Sequence, residues 1–594
     1  MADLAHEPAS GAPGAARKTV HLTASAPPAE AGRLRLRPWQ LRLSEAVVSV
    51  VAALGYTALC RHISVNPLNR IGQVSGLATL QEYVALIGLP LLAVLLYAAY
   101  RGTLRQYELA KRLVCAALAG LATGVVAGGV VVALRGTPWP LGGQEGDPSV
   151  LIDMATSIMH GKGIGVYPPA FPAAMAAWSE MRYGGVGGAG YALHDLQIIC
   201  SALVGPMSYL AWRLLLRPFW ALLIAVPAAV VFLDPIRPYS HVVMIMLLPL
   251  LAAFMRELRR TERRSVRSAL LLGVGFGVVF GLMFLWYSGW YLWSAPGVLV
   301  LALLLFPWRK GRAAITSAAA FVVSAGVAFA VVGAPLIYEI VRLGASTPDR
   351  YAYLSVYADP TYVLGWMSDR SGQLTYDTWP AAGELSGQTG FAVLLLLGVG
   401  LGMGLALRNI AVRTAAAVLA GAWLMRFYYA GNMERTQQIQ LYPRTTWIIM
   451  YCLMILAVLG LMALVQRGTG WLDRALRAKD SAVGVISPRV LGQLSAGMVC
   501  AVALFATMGA SWSINRYMPE SSETSMGIDA YRAQEVKKAD GTCPKYSPVT
   551  KCADHIVKDW KPTPDTGLWC SGIPTEDWPA VCGRPAPWVT GTKN

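Results

Sequence analysis

The sequence predicts an all-α polytopic membrane protein with about thirteen transmembrane helices. The chain has 594 residues, of which 55% are hydrophobic and only 14% are charged. A soluble protein of this size has too little interior to bury so much apolar side chain. The apolar residues also form blocks of roughly 17–25 residues, the length that a helix needs to cross about 30 Å of hydrocarbon. Together these observations indicate a helical bundle embedded in a membrane.

Short connections that are basic or rich in Gly and Pro separate the apolar blocks. We therefore predict one span for each block, and all spans are helical because backbone polar groups cannot stay unpaired in lipid. The predicted spans cover about 43–60, 81–100, 113–134, 191–212, 218–233, 239–255, 268–286, 290–307, 313–336, 389–407, 412–429, 446–465 and 490–511.

Charge sets the predicted orientation. Residues 1–42 lack the apolar core of a signal peptide and are expected to form a disordered cytoplasmic tail. Starting inside places 101–112, 213–217, 256–267, 308–312, 408–413 and 466–489 in the cytoplasm, and these connections are rich in Lys and Arg. This bias is typical of plasma-membrane proteins and accounts for the formal net charge of +17. We therefore expect membrane lipids, and not nucleic acid, as partners.

The cysteines fall into two groups. Cys60, Cys115, Cys200, Cys452 and Cys500 lie in or beside spans, where a thiol packs as a small apolar group. The others lie in the tail 512–594, which an odd number of crossings places outside, in an oxidising compartment. Two disulfides with three possible pairings are expected there, and zinc binding is weaker because no Cys-x-x-Cys spacing occurs. The tail cysteines are Cys543, Cys552, Cys570 and Cys582.

An acidic segment, Gly142 to Pro148, follows the third span and should lie at the outer membrane face. Glu145 or Asp147, flanked by glycines and bordered by a low-dielectric bundle, has the raised basicity that suits a general base. The alternative is structural, because Asp147 followed by Pro148 is also a good helix start. Asp153 and His160 follow within reach of the same face.

Two further outward segments carry polar and aromatic residues. Tyr167 to Pro172 leads into a predicted interfacial helix at 173–181, and its aromatic entry either lines a lipid-facing groove or forms a rigid turn. Asp234, Arg237 and His241 lie in the connection between spans five and six. They either hold a phosphate or sugar or form an ordinary solvated turn.

The last two segments flank spans seven and twelve. Trp286 and Tyr287 suit a membrane-interface aromatic belt, and their flat rings also suit stacking on a sugar. Arg435 and Arg444, with Gln438 between them, lie on the translocated side against the charge bias. Arginine binds phosphate oxygens in a two-pronged way, so we expect them to hold a lipid phosphate, either as part of a site or merely as headgroup contacts.

The carboxylates, aromatic residues and arginines together predict transfer of a sugar from a polyprenyl-phosphate carrier on the outer face. The carboxylate takes the acceptor proton, and the arginines stabilise the departing phosphate. The rival functions are a flippase or transporter for a lipid-linked glycan and a non-catalytic scaffold. A transporter needs polar groups deep within the spans, whose interiors are nearly free of charge here.

Over about residues 43–511 the chain resembles the actinobacterial galactan arabinofuranosyltransferases, polytopic enzymes of glycosyltransferase fold class C. The resemblance is carried by the order of short segments: the acidic loop after span three, Tyr167-Pro168-Pro169, Pro238-Tyr239, Trp286-Tyr287, Arg435-Thr436 and Arg444. It implies an inverting transfer of arabinofuranose from polyprenyl-phosphoryl-arabinose to a cell-wall glycan, with no nucleotide-sugar donor.

The resemblance places the family's catalytic Asp on Asp147. The spacing from that residue to the Tyr-Pro-Pro segment is shorter here, so Glu145 or Asp153 remains an alternative. The cysteine-containing tail is also smaller than the outer domain of the family, which leaves open another acceptor, such as a different wall polymer, or another sugar. The sequence has no compact acidic cluster that indicates a divalent metal. Two carboxylates that meet across loops would, however, form a metal site.

Overall fold

The computed structural model confirms that the protein is an all-α membrane protein. Eight helices are long and apolar enough to cross a membrane. One small hairpin pairs β1 (Arg70–Ile71) with β2 (Val74–Ser75), and the described residues form no other sheet. The structure describes residues 37–63, 65, 70–71, 74–101, 104–134, 140–141, 147–344, 393–436, 444–478 and 492–503.

Fifteen helices follow one another along the described ranges, and each predicted span coincides with one of them. The two additional helices, α4 and α5, lie between the third and fourth predicted spans. The helices of the first part are α1 (Pro38–Leu59), α2 (Ala78–Arg101), α3 (Leu104–Ala133), α4 (Asp147–Met159), α5 (Ala170–Tyr183), α6 (Ala189–Trp212) and α7 (Pro218–Val231). Those of the second part are α8 (Pro238–Arg260), α9 (Val266–Trp286), α10 (Gly289–Leu305), α11 (Arg312–Leu343), α12 (Val393–Ala406), α13 (Ile410–Thr436), α14 (Arg444–Ala478) and α15 (Gly492–Ala503).

Several helices extend beyond the ends that the sequence predicts, and two of these ends have a clear cause. Helix α1 begins at Pro38, before the predicted start at 43, because proline is well suited to the first helical position. Helix α14 continues to Ala478, through part of the predicted connection 466–489. Residues 471–478 there include two Leu, two Ala and two Arg, which have high helix propensity, so the helix need not end where the apolar run ends.

Helix α3 lies at the centre of the bundle. The most apolar part of this helix is completely buried within the protein, and α2, α6 and α7 pack against it. Of the predicted apolar thiols, Cys60, Cys115 and Cys452 are buried and form no disulfide among the described residues, as expected. The centre of the protein is therefore a dry apolar core.

A buried ion pair joins several of the predicted cytoplasmic connections. The Glu45 carboxylate is 1% exposed and accepts two hydrogen bonds from Arg213, at 2.7 and 3.1 Å, and one from Arg112 at 3.2 Å. Next to it, Arg256 donates to the Leu214 carbonyl at 2.7 Å. Removing one partner of such a pair leaves a buried charge that costs about 3–5 kcal/mol, so these contacts fix the basic end of the bundle.

The predicted outward segments meet at the other end of the same helices. Helix α8 has 23 residues, so its first and last turns are about 35 Å apart. Residues before its first turn contact α4, whereas Arg256 in its last turns contacts the connection after α6. Basic connections therefore lie at one end of the helices, and polar, aromatic connections lie at the other end, as the sequence predicts.

Helices α9 and α11 form a closely packed pair at the periphery. Gly273, Gly277 and Gly281 form a stripe on α9, and a Cβ at each would collide with α11. At Gly277 the obstacles are the Ala325 carbonyl and the Ala328 side chain. Close backbone approach across small residues is a main source of helix association in membranes. Lipid tails are as apolar as the side chains, so the hydrophobic effect does not drive helices together there.

We expect Gly277→Val to lower the unfolding temperature of the purified protein in detergent, because overpacking of this kind costs about 1–3 kcal/mol. Gly275→Val is the matched control, since an added Cβ at Gly275 meets nothing within 4 Å. The measurement is a thermal melt followed by size-exclusion chromatography. Equal losses in both variants would contradict a role for close helix approach.

Candidate functional site

The connection between α7 and α8 holds a buried carboxylate. Asp234 is 1% exposed, and its Oδ1 accepts from the backbone N–H of Ile236 at 2.9 Å and of Arg237 at 3.3 Å. Its Oδ2 accepts from Arg237 Nε at 2.9 Å. A side chain that bonds its own backbone in this way makes a rigid turn. The turn fixes the direction of the Arg237 guanidinium immediately before Pro238 begins α8.

The same guanidinium reaches a second carboxylate on another segment. Arg237 Nη1 donates to Asp147 Oδ2 at 3.2 Å. Burial by itself would lower the pKa of Arg237, but the Asp234 and Asp147 carboxylates outweigh it and raise that pKa well above its usual value. Arg237 therefore stays charged. Unlike Asp234, the Asp147 side chain is 26% exposed, so it is the more accessible of the two carboxylates.

Asp147 is also the first residue of α4, with Pro148 next, so the structural alternative for this residue is correct as well. A helix N-terminus favours a carboxylate because it carries partial positive charge. Within the described part of the chain, Asp147 Oδ1 has no hydrogen-bond partner, whereas Oδ2 is held by Arg237. One oxygen is thus fixed and the other is open to a ligand.

Gln197, on α6, ties together the two segments that carry these carboxylates. The side chain is completely buried. Its Nε2 donates to the carbonyls of Leu141 at 3.1 Å and Ile236 at 2.9 Å, and its Oε1 accepts from Leu141 N–H at 2.7 Å. Leu141 precedes the acidic segment and Ile236 lies in the Asp234 turn. Gln197 therefore sets how far apart Asp147 and Arg237 lie.

An aromatic cluster lies beside the carboxylates. The Tyr167 and Tyr239 hydroxyls are hydrogen-bonded at 2.7 Å. Phe171 stacks on Tyr239 with ring centroids 4.4 Å apart, and Trp286 meets Phe171 edge-on at 5.6 Å. The segment from Tyr167 to Pro172 thus packs against the start of α8 and the end of α9, instead of forming only a turn.

Arg444, the first residue of α14, reaches the same cluster. Its Nη1 donates a hydrogen bond to the Tyr287 hydroxyl, and its guanidinium carbon lies 5.9 Å from the centroid of that ring. Tyr287 in turn meets Tyr239 edge-on at 6.1 Å. This contact connects the predicted phosphate-seeking arginine with the predicted aromatic surface.

The charges of Asp147 and Arg444 both shift the pKa of the Tyr167 phenol. Burial is the largest cause that raises the pKa of this phenol, which remains above its usual range even though the hydrogen bond with Tyr239 lowers it. The Asp147 carboxylate raises the pKa further, and the Arg444 guanidinium lowers it. Both charges therefore act on one hydroxyl, at the meeting point of three segments.

A second layer lies deeper in the bundle. His241 is buried, with its ring 4.7 Å from Trp447 and 5.9 Å from Trp290, and Trp290 donates to the Ser240 carbonyl at 2.7 Å. Tyr287 and Trp290 are only 6% and 2% exposed. These aromatic residues serve as packing around the start of α8 and do not form an exposed belt.

A buried arginine on α13 corrects the expectation that span interiors are nearly free of charge. Arg426 is 4% exposed, and its Nη1 donates to the hydroxyls of Thr445 at 2.9 Å and Thr446 at 3.1 Å. These threonines directly follow Arg444. Arg426 therefore anchors the first turn of α14, which presents Arg444 to Tyr287.

Several predicted residues do not join the cluster. Asp153 and His160 are exposed, and neither side chain forms a hydrogen bond or ion pair among the described residues. Arg435 is exposed at the end of α13 and donates to Asn432 at 2.9 Å. Glu145, Gln438, Cys543, Cys552, Cys570 and Cys582 lie outside the described residues.

The two residues that the sequence did not reveal are Gln197 and Arg426. Each has apolar neighbours on both sides within a predicted span, and that is the signal that singles them out, because a polar group inside a membrane is costly unless it has a partner. Two carboxylates do meet across connections, as a metal site would need, but the Arg237 guanidinium lies on both of them. No group of three or more potential metal ligands occurs in the described ranges.

No protein-family model and no curated protein matches the chain. The chemistry of the cluster is therefore argued from its residues. It combines an accessible carboxylate, a fixed counter-ion, a phenol pair and a cation, all at one end of an apolar bundle. Such a set suits proton removal next to a departing or bound anion.

We expect Gln197→Met to lower the unfolding temperature, because the groups of Leu141 and Ile236 lose their partners, at about 1–3 kcal/mol for each buried unsatisfied group. Hydrogen exchange at the Leu141 amide should also become faster. Ser201→Ala on the same helix is the matched control, since the buried Ser201 hydroxyl has no hydrogen-bond partner among the described residues. Unchanged exchange at Leu141 would contradict the role given to Gln197.

Proposed function

We propose that the protein is a membrane glycosyltransferase that moves a pentose, arabinofuranose, from a polyprenyl-phosphate donor to a cell-wall glycan on the outer face. The observation that carries the proposal is a series of contacts that connects Asp147 with Arg444. Arg237, immediately before α8, donates to Asp147 at 3.2 Å. Tyr239, two residues later, meets the Tyr287 ring edge-on, and the Tyr287 hydroxyl accepts from Arg444. Sugar transfer needs a base for the acceptor and a cation for the leaving phosphate, and both of these residues belong to this one cluster.

In the proposed reaction, the oxygen of an acceptor hydroxyl attacks the anomeric carbon of the sugar, and Asp147 Oδ1 takes its proton. The bond from that carbon to the phosphate oxygen breaks, and its electron pair passes to the phosphate, whose charge Arg444 stabilises. The transition state resembles an oxocarbenium ion, and attack from the face opposite the phosphate inverts the configuration.

Arg237 takes a different role in this proposal from the phosphate contact that the sequence suggests. Two carboxylates already hold its guanidinium. We therefore assign Arg237 to positioning Asp147. Asp234 and Gln197 support it from the buried side, through the turn before α8 and through Leu141.

The finer architecture belongs to the same proposal. We propose thirteen spans in a fold of glycosyltransferase class C, with the N-terminus cytoplasmic and the cysteine-containing tail outside the plasma membrane. Helix α6 and the shorter helices α7, α10, α12 and α15 supply the five spans beyond the eight that satisfy length and apolarity. Membership of the galactan arabinofuranosyltransferase family is proposed on the order of the outward segments.

A flippase for lipid-linked glycans is the second candidate, and Arg426 is the observation that favours it. A charge within a candidate span is a usual feature of a transport path. Arg426, however, bonds the first turn of α14, and the accessible charges lie at the end of the bundle. This placement fits surface chemistry better than passage through the bundle.

We expect Asp147→Asn to reduce sugar transfer from synthetic polyprenyl-phosphoryl-arabinose by about 10²–10⁴-fold, because the amide cannot accept the acceptor proton. Purified protein and a panel of polyprenyl-phosphate sugars with a soluble glycan acceptor provide the assay, with radiolabelled product as the readout. The melting temperature of the variant checks that the ion pair with Arg237 is not needed for folding.

Asp153→Asn is the matched control, because Asp153 lies on the same helix and is exposed without partners in the described ranges. It should keep full turnover. Full turnover by Asp147→Asn would refute the base assignment, and a loss confined to Asp153→Asn or to Glu145→Gln would move the role to that residue. Glycan movement across vesicles without any transfer would favour the flippase.

We expect Arg444→Gln to weaken donor binding by roughly 10–100-fold, the value of a hydrogen bond to a charged group, while acceptor binding holds. Donor titration against a non-transferable phosphonate analogue measures this change. Arg342→Gln is the control, since Arg342 is an exposed arginine that contacts Glu339 and the Tyr338 ring on its own helix. Arg435→Gln tests whether the second predicted arginine shares the role. Unchanged affinity in Arg444→Gln would exclude phosphate contact by that residue.

A further inference from the structure

The end of the bundle opposite the carboxylates carries a concentrated positive charge. It is formed by the connection from α8 to α9, residues 256–267, and the connection from α10 to α11, residues 308–312. Together they contain nine Arg or Lys and two Glu, a formal net charge of +7. We call their exposed cations the basic face, which consists of Arg259, Arg260, Arg263, Arg267, Arg309, Lys310 and Arg312.

Side-chain contacts hold the two connections together. Ser317, in the second turn of α11, donates to the Arg264 carbonyl at 3.1 Å. Lys310 and Glu262 lie 3.9 Å apart across the two connections. The basic face is therefore one surface, and its cations do not belong to separate loops.

The acids present do not neutralise this surface. Glu257 already pairs with three arginines, at 3.1 Å to Arg256, 3.0 Å to Arg260 and 2.6 Å to Arg264. Glu262 makes only long pairs, at 3.9 Å to Arg263 and Lys310. The remaining members, Arg259, Arg267, Arg309 and Arg312, form no ion pair with any carboxylate of the described chain.

Exposed apolar side chains border the basic face directly. Trp308 is 60% exposed, its Nε1 donates to the Leu303 carbonyl at 2.9 Å, and its ring lies 4.4 Å from Phe306. Leu304 is 76% exposed on the last turn of α10, and Leu271 is exposed one turn beyond Arg267. An exposed Trp between an apolar helix surface and charged residues marks the level of the lipid headgroups. The cations thus lie at headgroup depth and not out in solution.

From this combination we propose that the basic face binds anionic phospholipids, with their phosphodiesters on the arginines and their acyl chains along the exposed apolar turns. Guanidinium groups match phosphate geometry with two hydrogen bonds each, and their attraction adds over several side chains. The adjoining apolar surface favours a lipid over a soluble polyanion, because a soluble partner would leave Trp308 and Leu304 without cover. This binding does not depend on the proposed sugar transfer.

The test is native mass spectrometry of the full chain in detergent with equal amounts of phosphatidylglycerol and phosphatidylcholine. We expect the wild-type protein to retain phosphatidylglycerol preferentially. Arg263→Gln combined with Arg309→Gln should lower that preference by on the order of fivefold for each charge removed. Both positions are exposed, so folding should be unaffected, which the melting temperature checks.

Arg101→Gln combined with Arg105→Gln is the control, because these arginines lie in another basic connection, between α2 and α3. It should keep the lipid preference. Equal retention of both lipids by wild type, or an equal loss in the control, would overturn the proposal. Full displacement of the lipid by millimolar inorganic phosphate or by polyglutamate would also overturn it, since the surface would then be a soluble-anion site.

Discussion

The cost of charge in hydrocarbon determines the arrangement of the whole molecule. Backbone groups in a bilayer must pair within the protein, so the chain crosses as helices, and charged side chains are pushed to the helix ends. Helix α8 displays the result, with Arg237 before its first turn and a cluster of arginines after its last. Chemistry that needs ions can therefore be built only at an end of this bundle or on a fully partnered group within it.

The candidate site satisfies this constraint through shared partners. Arg237 is acceptable near the apolar core because Asp234, behind it, is buried and fixed by a backbone turn. The guanidinium keeps N–H groups that Asp234 does not use, and its Nη1 donates to the more exposed Asp147. Loss of Asp234 would therefore disturb Asp147 without any direct contact between the two. The buried acid supports the structure, and the accessible acid is the one that a substrate can reach.

Much of this organisation was predictable from the sequence, because it depends on local patterns. The lengths of the apolar runs predict a helix for each span, and Asp147, Tyr167 and Arg444, which the sequence predicts for one side of the membrane, lie at the same end of the bundle. Contacts between distant segments were not predictable. Nothing in the spacing shows that Gln197 reaches both Leu141 and Ile236, or that Asp153, six residues after Asp147, points away. Such pairings depend on how helices rotate about their axes.

Arg426 links a fully partnered charge inside the bundle to the charged site at its end. A buried arginine is costly in an apolar span, so its bonds to Thr445 and Thr446 must be kept, and this fixes the first turn of α14. Arg444 is the first residue of that turn and bonds Tyr287. The buried Arg426 thus fixes the turn that carries the arginine of the site. A polar residue in an apolar part of the sequence is therefore what determines the position of the half-buried Arg444.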